Sequence, residues 1–195
     1  MATGTPVLNA LNTRYIILDG EYPPLVNPGA FGPAWFVEEA VPAATPDEEI
    51  ALVGKVDLRR QAVLREAPVA LGAGSAEDAI TLTSYAPNEL HYSYSAAADR
   101  LAVFSEIGYP DGWHAAVDGT PVELLRADWT LRAALLPAGE HELTMTFLPE
   151  SYRTGARVSA CSSLLLLLLT LLSLILSALR EPIENSKPLR ISELA

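Results

Sequence analysis

The chain has 195 residues, half of them hydrophobic, and its 13 basic and 24 acidic residues give a formal net charge of −11. Such a chain has no basic surplus to displace counterions from phosphates, which argues against a nucleic acid partner. The single cysteine, Cys161, lies in an apolar run, so the sequence offers no disulfide framework and no thiol ligand for zinc. His91, His114 and His141 lack the spacing of zinc ligands. We therefore expect no metal site and no cofactor.

Eight prolines in the first 75 residues favour short elements. We predict strands at Arg14–Leu18 and Trp35–Glu39. The sequence Thr45–Glu48 has the N-cap, the first-turn proline and the capping-box acid of a helix start, which predicts a short helix to about Val53. The acidic run Asp47–Glu49 is expected to be solvated at this helix N-terminus.

From Ile80 onward, short apolar segments recur about every ten residues, after a predicted surface linker at Gly72–Asp78. This rhythm predicts a mainly β fold, an antiparallel sandwich of two sheets in which each strand buries one side. The predicted strands are Ile80–Ser84, Leu90–Ser95, Leu101–Ile107, Trp113–Val117, Val122–Arg126, Trp129–Leu136 and Glu142–Leu148.

Turn residues separate these strands. Asp118-Gly119 and Pro137–Gly139 each predict a hairpin, and Pro110–Gly112 predicts a further turn. Trp129 belongs to an alternating strand with Leu131 and is expected in the core.

An uncharged run of 22 residues, Val158–Leu179, follows the predicted strands. As a helix it extends roughly 33 Å, enough to cross a bilayer core. The sequence therefore predicts a soluble β module at 1–157, one transmembrane helix at 158–179 and a short polar tail at 180–195. The charge difference between the two flanks is too small to orient the helix.

Aromatic residues near the turns are candidate sugar-binding platforms, because an aromatic face stacks on the C–H face of a pyranose. We single out Trp35, Tyr109 and Trp113, with Asp111 as an acceptor for sugar hydroxyls. Packing in the core or in turns is the alternative role for these rings. A catalytic alternative places Asp111, Asp118 and Asp128 together at one end of the sandwich as acid and base, although each also suits a turn.

Several segments in a fixed order resemble the C-terminal part of the YfhO-like bacterial membrane proteins. The resemblance covers nearly the whole chain. It is carried by Leu8–Ile17, Gly32–Val37, Leu82–Asn88, Ala102–Trp113, Val117–Val122, Leu131-Arg132, Pro137–His141 and Pro149–Tyr152.

This resemblance implies a polytopic protein of the GT-C type of lipid-linked sugar transferases. In such proteins a many-helix region precedes an extracytoplasmic β-domain and a last membrane helix, and this chain corresponds to that last part. The family's catalytic acids lie in a loop of the many-helix region that nothing here matches, so no catalytic residue carries over. The implied partners are the lipid bilayer, a multi-helix membrane subunit and a glycan or lipid-linked sugar.

The resemblance predicts a non-catalytic, glycan-contacting accessory domain outside the cytoplasm. Two alternatives stay open: a purely structural assembly domain anchored in the membrane, and a truncated gene product. The orientation has its own alternative, since a tail-anchored chain without a signal peptide would leave the domain in the cytoplasm.

Overall fold

A computed structural model of the protein describes residues 5–65 and 71–184, so most of the predicted tail, 185–195, lies outside the described residues. The chain divides into two compact units, Met1–Pro149 and Glu150–Ala195. The first unit is mainly β, as predicted. Its elements are α1 (Pro6–Ala10), β1 (Tyr15–Ile16), β2 (Leu25–Val26), β3 (Ala34–Phe36), β4 (Glu39–Pro42), α2 (Pro46–Val53), β5 (Gln61–Leu64), β6 (Ala79–Ala86), β7 (Glu89–Ala96), β8 (Arg100–Ile107), β9 (Trp113–Val117), β10 (Thr120–Val122), β11 (Leu125–Ala127), β12 (Leu131–Leu136) and β13 (Gly139–Phe147).

The strands form a five-stranded sheet in the order β10-β9-β13-β7-β6 and a six-stranded sheet in the order β3-β8-β12-β11-β5-β4. A separate two-stranded arm pairs β1 with β2. Among the strands that the structure describes, the pairings are antiparallel except for the parallel pair of β4 and β5. The predicted sandwich is thus confirmed, with a parallel pair at one edge.

The six-stranded sheet is buried on both faces. This differs from the prediction, in which each strand buries only one side. On β12, Ala134 and Leu136 face the five-stranded sheet. They share a core with Phe104 of β8 and with Tyr92 of β7 in the facing sheet. The alternate residues, Leu131 and Ala133, belong to a second core closed by the α1 and α2 segments. Two cores therefore flank the six-stranded sheet, and successive residues of β12 contribute side chains alternately to one core and to the other.

Helix α2 begins as predicted. The Thr45 hydroxyl accepts a hydrogen bond from the Glu48 N–H at 3.2 Å, and a Glu48 carboxylate oxygen accepts from the Ala44 N–H at 2.8 Å. Glu49, in contrast, was expected to be solvated and is fully buried. It lies four residues before the buried Val53, on the same face of the helix.

The boundaries of several other predicted strands differ from those in the structure. Arg14–Leu18 reduces to β1, and Trp35–Glu39 divides into β3 and β4, which occupy opposite edges of the six-stranded sheet. Val122–Arg126 divides because the chain crosses between the sheets after Val122. Strand β12 begins only at Leu131, because Asp128 and Trp129 have positive φ values of 51° and 72°. Trp129 was expected in the core, and it is 40% exposed.

The two predicted hairpins differ in outcome. Asp118 and Gly119, with φ of 47° and 82°, form the tight turn between the paired strands β9 and β10. Pro137–Gly139 instead joins β12 and β13, which lie in different sheets. The predicted linker Gly72–Asp78 has no regular structure, yet it packs closely, since Gly74 lies against the Arg100 guanidinium and Asp78 pairs with it at 3.0 Å.

Gly119→Ala should lower the free energy of unfolding by about 1–2 kcal/mol, because a side chain disfavours positive φ. The space around Gly119 is open, so the cost is backbone strain alone. Gly54→Ala, at φ −77°, is the matched control and should be neutral or slightly stabilising. Chemical denaturation of both variants checks this, and equal stabilities would contradict it.

The second unit contains α3, a 35-residue helix from Glu150 to Glu184. It starts eight residues before the predicted span and is long and apolar enough to cross a membrane. The hydroxyls of Ser162 and Thr170 donate to the carbonyls four residues earlier, at 2.9 and 2.7 Å. These polar groups are therefore satisfied within the helix, as a hydrocarbon environment requires.

Candidate ligand-binding cleft

A cleft with a volume of 730 Å³ opens on the sandwich beside β9, β10 and β11 and the loop after β8. Its polar and aromatic lining consists of Tyr109, Trp113, His114, Thr144, Thr146 and three arginines, Arg65, Arg126 and Arg132. The described lining includes no aspartate and no glutamate, although the chain as a whole has a net charge of −11. This is a basic and aromatic cleft in an acidic protein.

Two of the arginines are held by one buried carboxylate. Arg65 and Arg126 approach the same Glu49 oxygen, Oε2, at 2.9 and 3.4 Å, while both side chains keep more than a third of their surface exposed. The second Glu49 oxygen accepts the Trp129 N–H at 2.9 Å. Glu49 thus fixes two guanidinium groups side by side on the cleft wall.

Asp128 lies behind the same wall and is almost fully buried. One of its oxygens accepts the Val63 N–H at 2.8 Å, and the other is buried without a partner among the described residues. Burial raises the pKa of Asp128 to about 7; the hydrogen bond from Val63 opposes this, and the nearby Glu49 charge adds to it. Asp128 therefore takes up a proton near neutral pH.

Arg132 forms the inner end of the cleft. Its guanidinium lies 3.8 Å from the centroid of the Trp113 ring and donates to the Ile107 carbonyl at 3.0 Å. Burial lowers the pKa of Arg132, and Glu106 opposes that effect. The cation–π contact fixes the Trp113 ring, whose other neighbour is Phe147 at 5.2 Å between centroids.

The four residues predicted as a sugar site are distributed over three environments. Tyr109 lines the cleft mouth with 56% of its surface exposed, and Trp113 lines it with one ring face against Arg132. Asp111 is exposed in the adjacent loop and is not part of the lining. Trp35 is a core residue, 4% exposed, whose indole N–H donates to the Leu58 carbonyl at 3.1 Å. Trp35 is therefore not available to a ligand on the surface.

The three aspartates of the catalytic alternative do not converge. Asp111 and Asp118 flank opposite ends of β9, a strand about 16 Å long. Asp128 is buried on the side of the second core. A pair of carboxylates around one glycosidic bond needs a separation of about 5–10 Å in the open, and these residues do not provide it.

Asp118 has a structural contact of its own. One carboxylate oxygen accepts the Glu142 N–H at 3.0 Å, and the other contacts His141 Nδ1 at 2.6 Å. His141 Nε2 contacts the Ala138 carbonyl at 3.1 Å, so both ring nitrogens face acceptors. Only the protonated ring donates from both nitrogens. The contact with Asp118 accordingly raises the pKa of His141, and the Glu142 N–H and His141 lower the pKa of Asp118.

Asp118→Asn should lower the pKa of His141, because the replacement removes the negative charge beside Nδ1. Histidine titration by NMR measures the shift. Asp111→Asn is the matched control, since Asp111 lies at the other end of β9 and should leave His141 unchanged. A His141 titration that is the same in all three proteins would contradict the contact.

Sequence reasoning missed the arginines of the cleft and Glu49. A usable signal for Glu49 was its spacing of four residues from Val53, on the apolar side of α2. No comparable signal brings Arg65, Arg126 and Arg132 together, because they come from different strands or strand ends. Among the described residues, no group of three or more histidine, cysteine and acidic side chains is placed to hold a metal ion.

Taken together, these features define a β-sandwich with a basic, aromatic cleft, followed in the chain by a helix able to cross a membrane. Residues 72–159, which run from the segment before β6 into the start of α3, match the family described as bacterial membrane protein YfhO. Over these residues the match confirms the predicted resemblance to YfhO-like proteins and, with the apolar helix, supports a location in the membrane. The resembling segments Leu8–Ile17 and Gly32–Val37 lie outside the matched residues. No curated protein and no solved structure matches the chain.

Proposed function

We propose that the sandwich is a non-catalytic, extracytoplasmic domain that contacts a glycan for a YfhO-like membrane protein of cell-envelope glycosylation. The cleft with Tyr109 at its mouth carries this proposal. Phe147 lies 6.3 Å from the Tyr109 ring in an edge-on arrangement and supports it from one side. A supported, exposed aromatic ring beside arginine, histidine and threonine donors suits a sugar, which has an apolar face and many hydroxyls.

Saccharide binding by the full chain in lipid nanodiscs tests this proposal. Tyr109→Ala should weaken the affinity roughly tenfold, the size of one lost aromatic contact. Tyr85→Ala is the matched control, because Tyr85 is 65% exposed on β6 and is not part of the cleft. If Tyr109→Ala binds saccharides as well as the native chain does, the cleft is not the glycan site.

A structural assembly role is the second candidate, and the two-stranded arm favours it. The arm, residues 15–26, exposes most of the surface of Ile17 and Leu18, at 73% and 77%. Tyr15, Tyr22, Leu25 and Val26 are also exposed there. Several large apolar side chains exposed on one short arm are typical of a contact with another protein or a membrane.

A photo-crosslinking residue at Leu18 tests the assembly role, with Thr120 in the exposed β9–β10 hairpin as the control position. The assembly role predicts a crosslink from position 18 to a polytopic membrane chain identified by mass spectrometry. Equal crosslinking from both positions would contradict it.

A further inference from the structure

The charges of the cleft point to a specific class of ligand. Arg65 and Arg126 are more than a third exposed on its wall, the buried Arg132 and the exposed His114 also line it, and the described lining has no acidic residue. Glu49 and Asp128 lie behind this wall and are buried away from the opening, and Glu106 lies near Arg132 but is not part of the described lining. The described side chains that line the opening are therefore basic or uncharged, in a chain whose net charge is −11.

The arginine geometry favours an oxyanion over a hydroxyl. Arg65 and Arg126 share one Glu49 oxygen, which holds their guanidinium groups close together and in fixed orientations. Each guanidinium has five N–H donors, and the contact with Glu49 engages one nitrogen of each. The remaining donors of each planar guanidinium suit phosphate or carboxylate oxygens, and the shared contact with Glu49 holds both groups near each other before a ligand arrives.

We infer that the cleft binds an acidic saccharide, with the phosphate or carboxylate group on Arg65 and Arg126 and the sugar ring against Tyr109. This inference rests on the proposed glycan-contacting function and adds the charge of the glycan. The cleft volume of 730 Å³ accommodates a ligand of one to a few sugar units.

Calorimetric titration of the full chain in phosphatidylcholine nanodiscs tests the inference with three probes: glucose 1-phosphate, methyl glucoside and inorganic phosphate. At low salt, glucose 1-phosphate should bind at least tenfold more tightly than either of the other two. Its affinity should fall as sodium chloride is raised, while that of methyl glucoside should not change.

Arg126→Gln should remove about tenfold of the affinity for glucose 1-phosphate and leave methyl glucoside unaffected. Arg65 still pairs with Glu49 in this variant, and a thermal transition checks that it folds. The matched control is Arg60→Gln, because Arg60 pairs with the exposed Glu38 at 2.6 Å and is not part of the cleft. The salt dependence of the native chain remains a test that needs no variant.

The outcomes separate the two levels of the proposal. Equal binding of glucose 1-phosphate and methyl glucoside would overturn the acidic class and leave glycan contact standing. No binding of either sugar would overturn both. Inorganic phosphate binding as tightly as the sugar phosphate would overturn the saccharide assignment. Loss of sugar phosphate binding in phosphatidylglycerol nanodiscs would do the same, since it would assign the arginines to a lipid headgroup.

Discussion

Replacing Glu49 by alanine should lower the free energy of unfolding by about 3–4 kcal/mol. The change leaves a void in the second core, removes the acceptor of the Trp129 N–H and leaves Arg65 and Arg126 without their shared carboxylate. A buried ion pair contributes little net stability when it is complete, but removing one partner is costly because the others keep their desolvation penalty.

Asp47→Ala is the matched control for this effect. Asp47 lies in the same first turn of α2, is exposed, and should cost well under 1 kcal/mol when it is removed. Urea denaturation of both variants measures the difference. A loss below about 1 kcal/mol for Glu49→Ala would show that the carboxylate does not organise the cleft wall.

Asp128→Asn should change how stability depends on pH. The pKa of Asp128 is 3.8 in the unfolded chain and about 7 in the folded one, so between these values the folded state holds a proton that the unfolded state has lost. Folding is favoured by this proton at low pH, and the contribution is lost as the pH rises through about 4 to 7. Above pH 7 the buried charge costs on the order of 4 kcal/mol, from about 1.4 kcal/mol per pKa unit.

The asparagine variant keeps the carbonyl oxygen for the Val63 N–H and suits the positive φ of 51° at this position. It should therefore be more stable than the native chain at pH 8 and close to it at pH 4. Thermal unfolding at the two pH values measures this, with the exposed Asp111→Asn as control. A stability difference that does not change with pH would contradict the buried, protonated state of Asp128.

The sequence predicted the elements whose signals are local. The helix start at Thr45, the turn at Asp118-Gly119 and the apolar helix follow from short-range chemistry, and the structure has all three. Strands β6 to β9 were also predicted near their actual positions, because turn residues mark their ends.

The sequence-based predictions were wrong where contacts between distant parts of the chain determine the structure. The division of Val122–Arg126 depends on two sheets that each take part of the segment, and the parallel pair of β4 and β5 brings together strands separated by a helix. Trp35 and Trp113 both lie near turn residues in the sequence. In the structure, Trp35 packs in a core and Trp113 lines the cleft. The cleft itself combines residues as distant as Arg65 and Arg132, which no spacing rule connects.

The orientation of the sandwich is the claim on which the proposed function depends most directly, and cysteine accessibility tests it. In a Cys161→Ser background, one cysteine is placed at Ala76, in the exposed turn before β6, and another at Ser192, after the apolar run. A membrane-impermeant maleimide on intact cells should label the Ala76→Cys chain, and the Ser192→Cys chain only after lysis. The reverse pattern would place the sandwich in the cytoplasm and contradict an extracytoplasmic glycan-contacting domain.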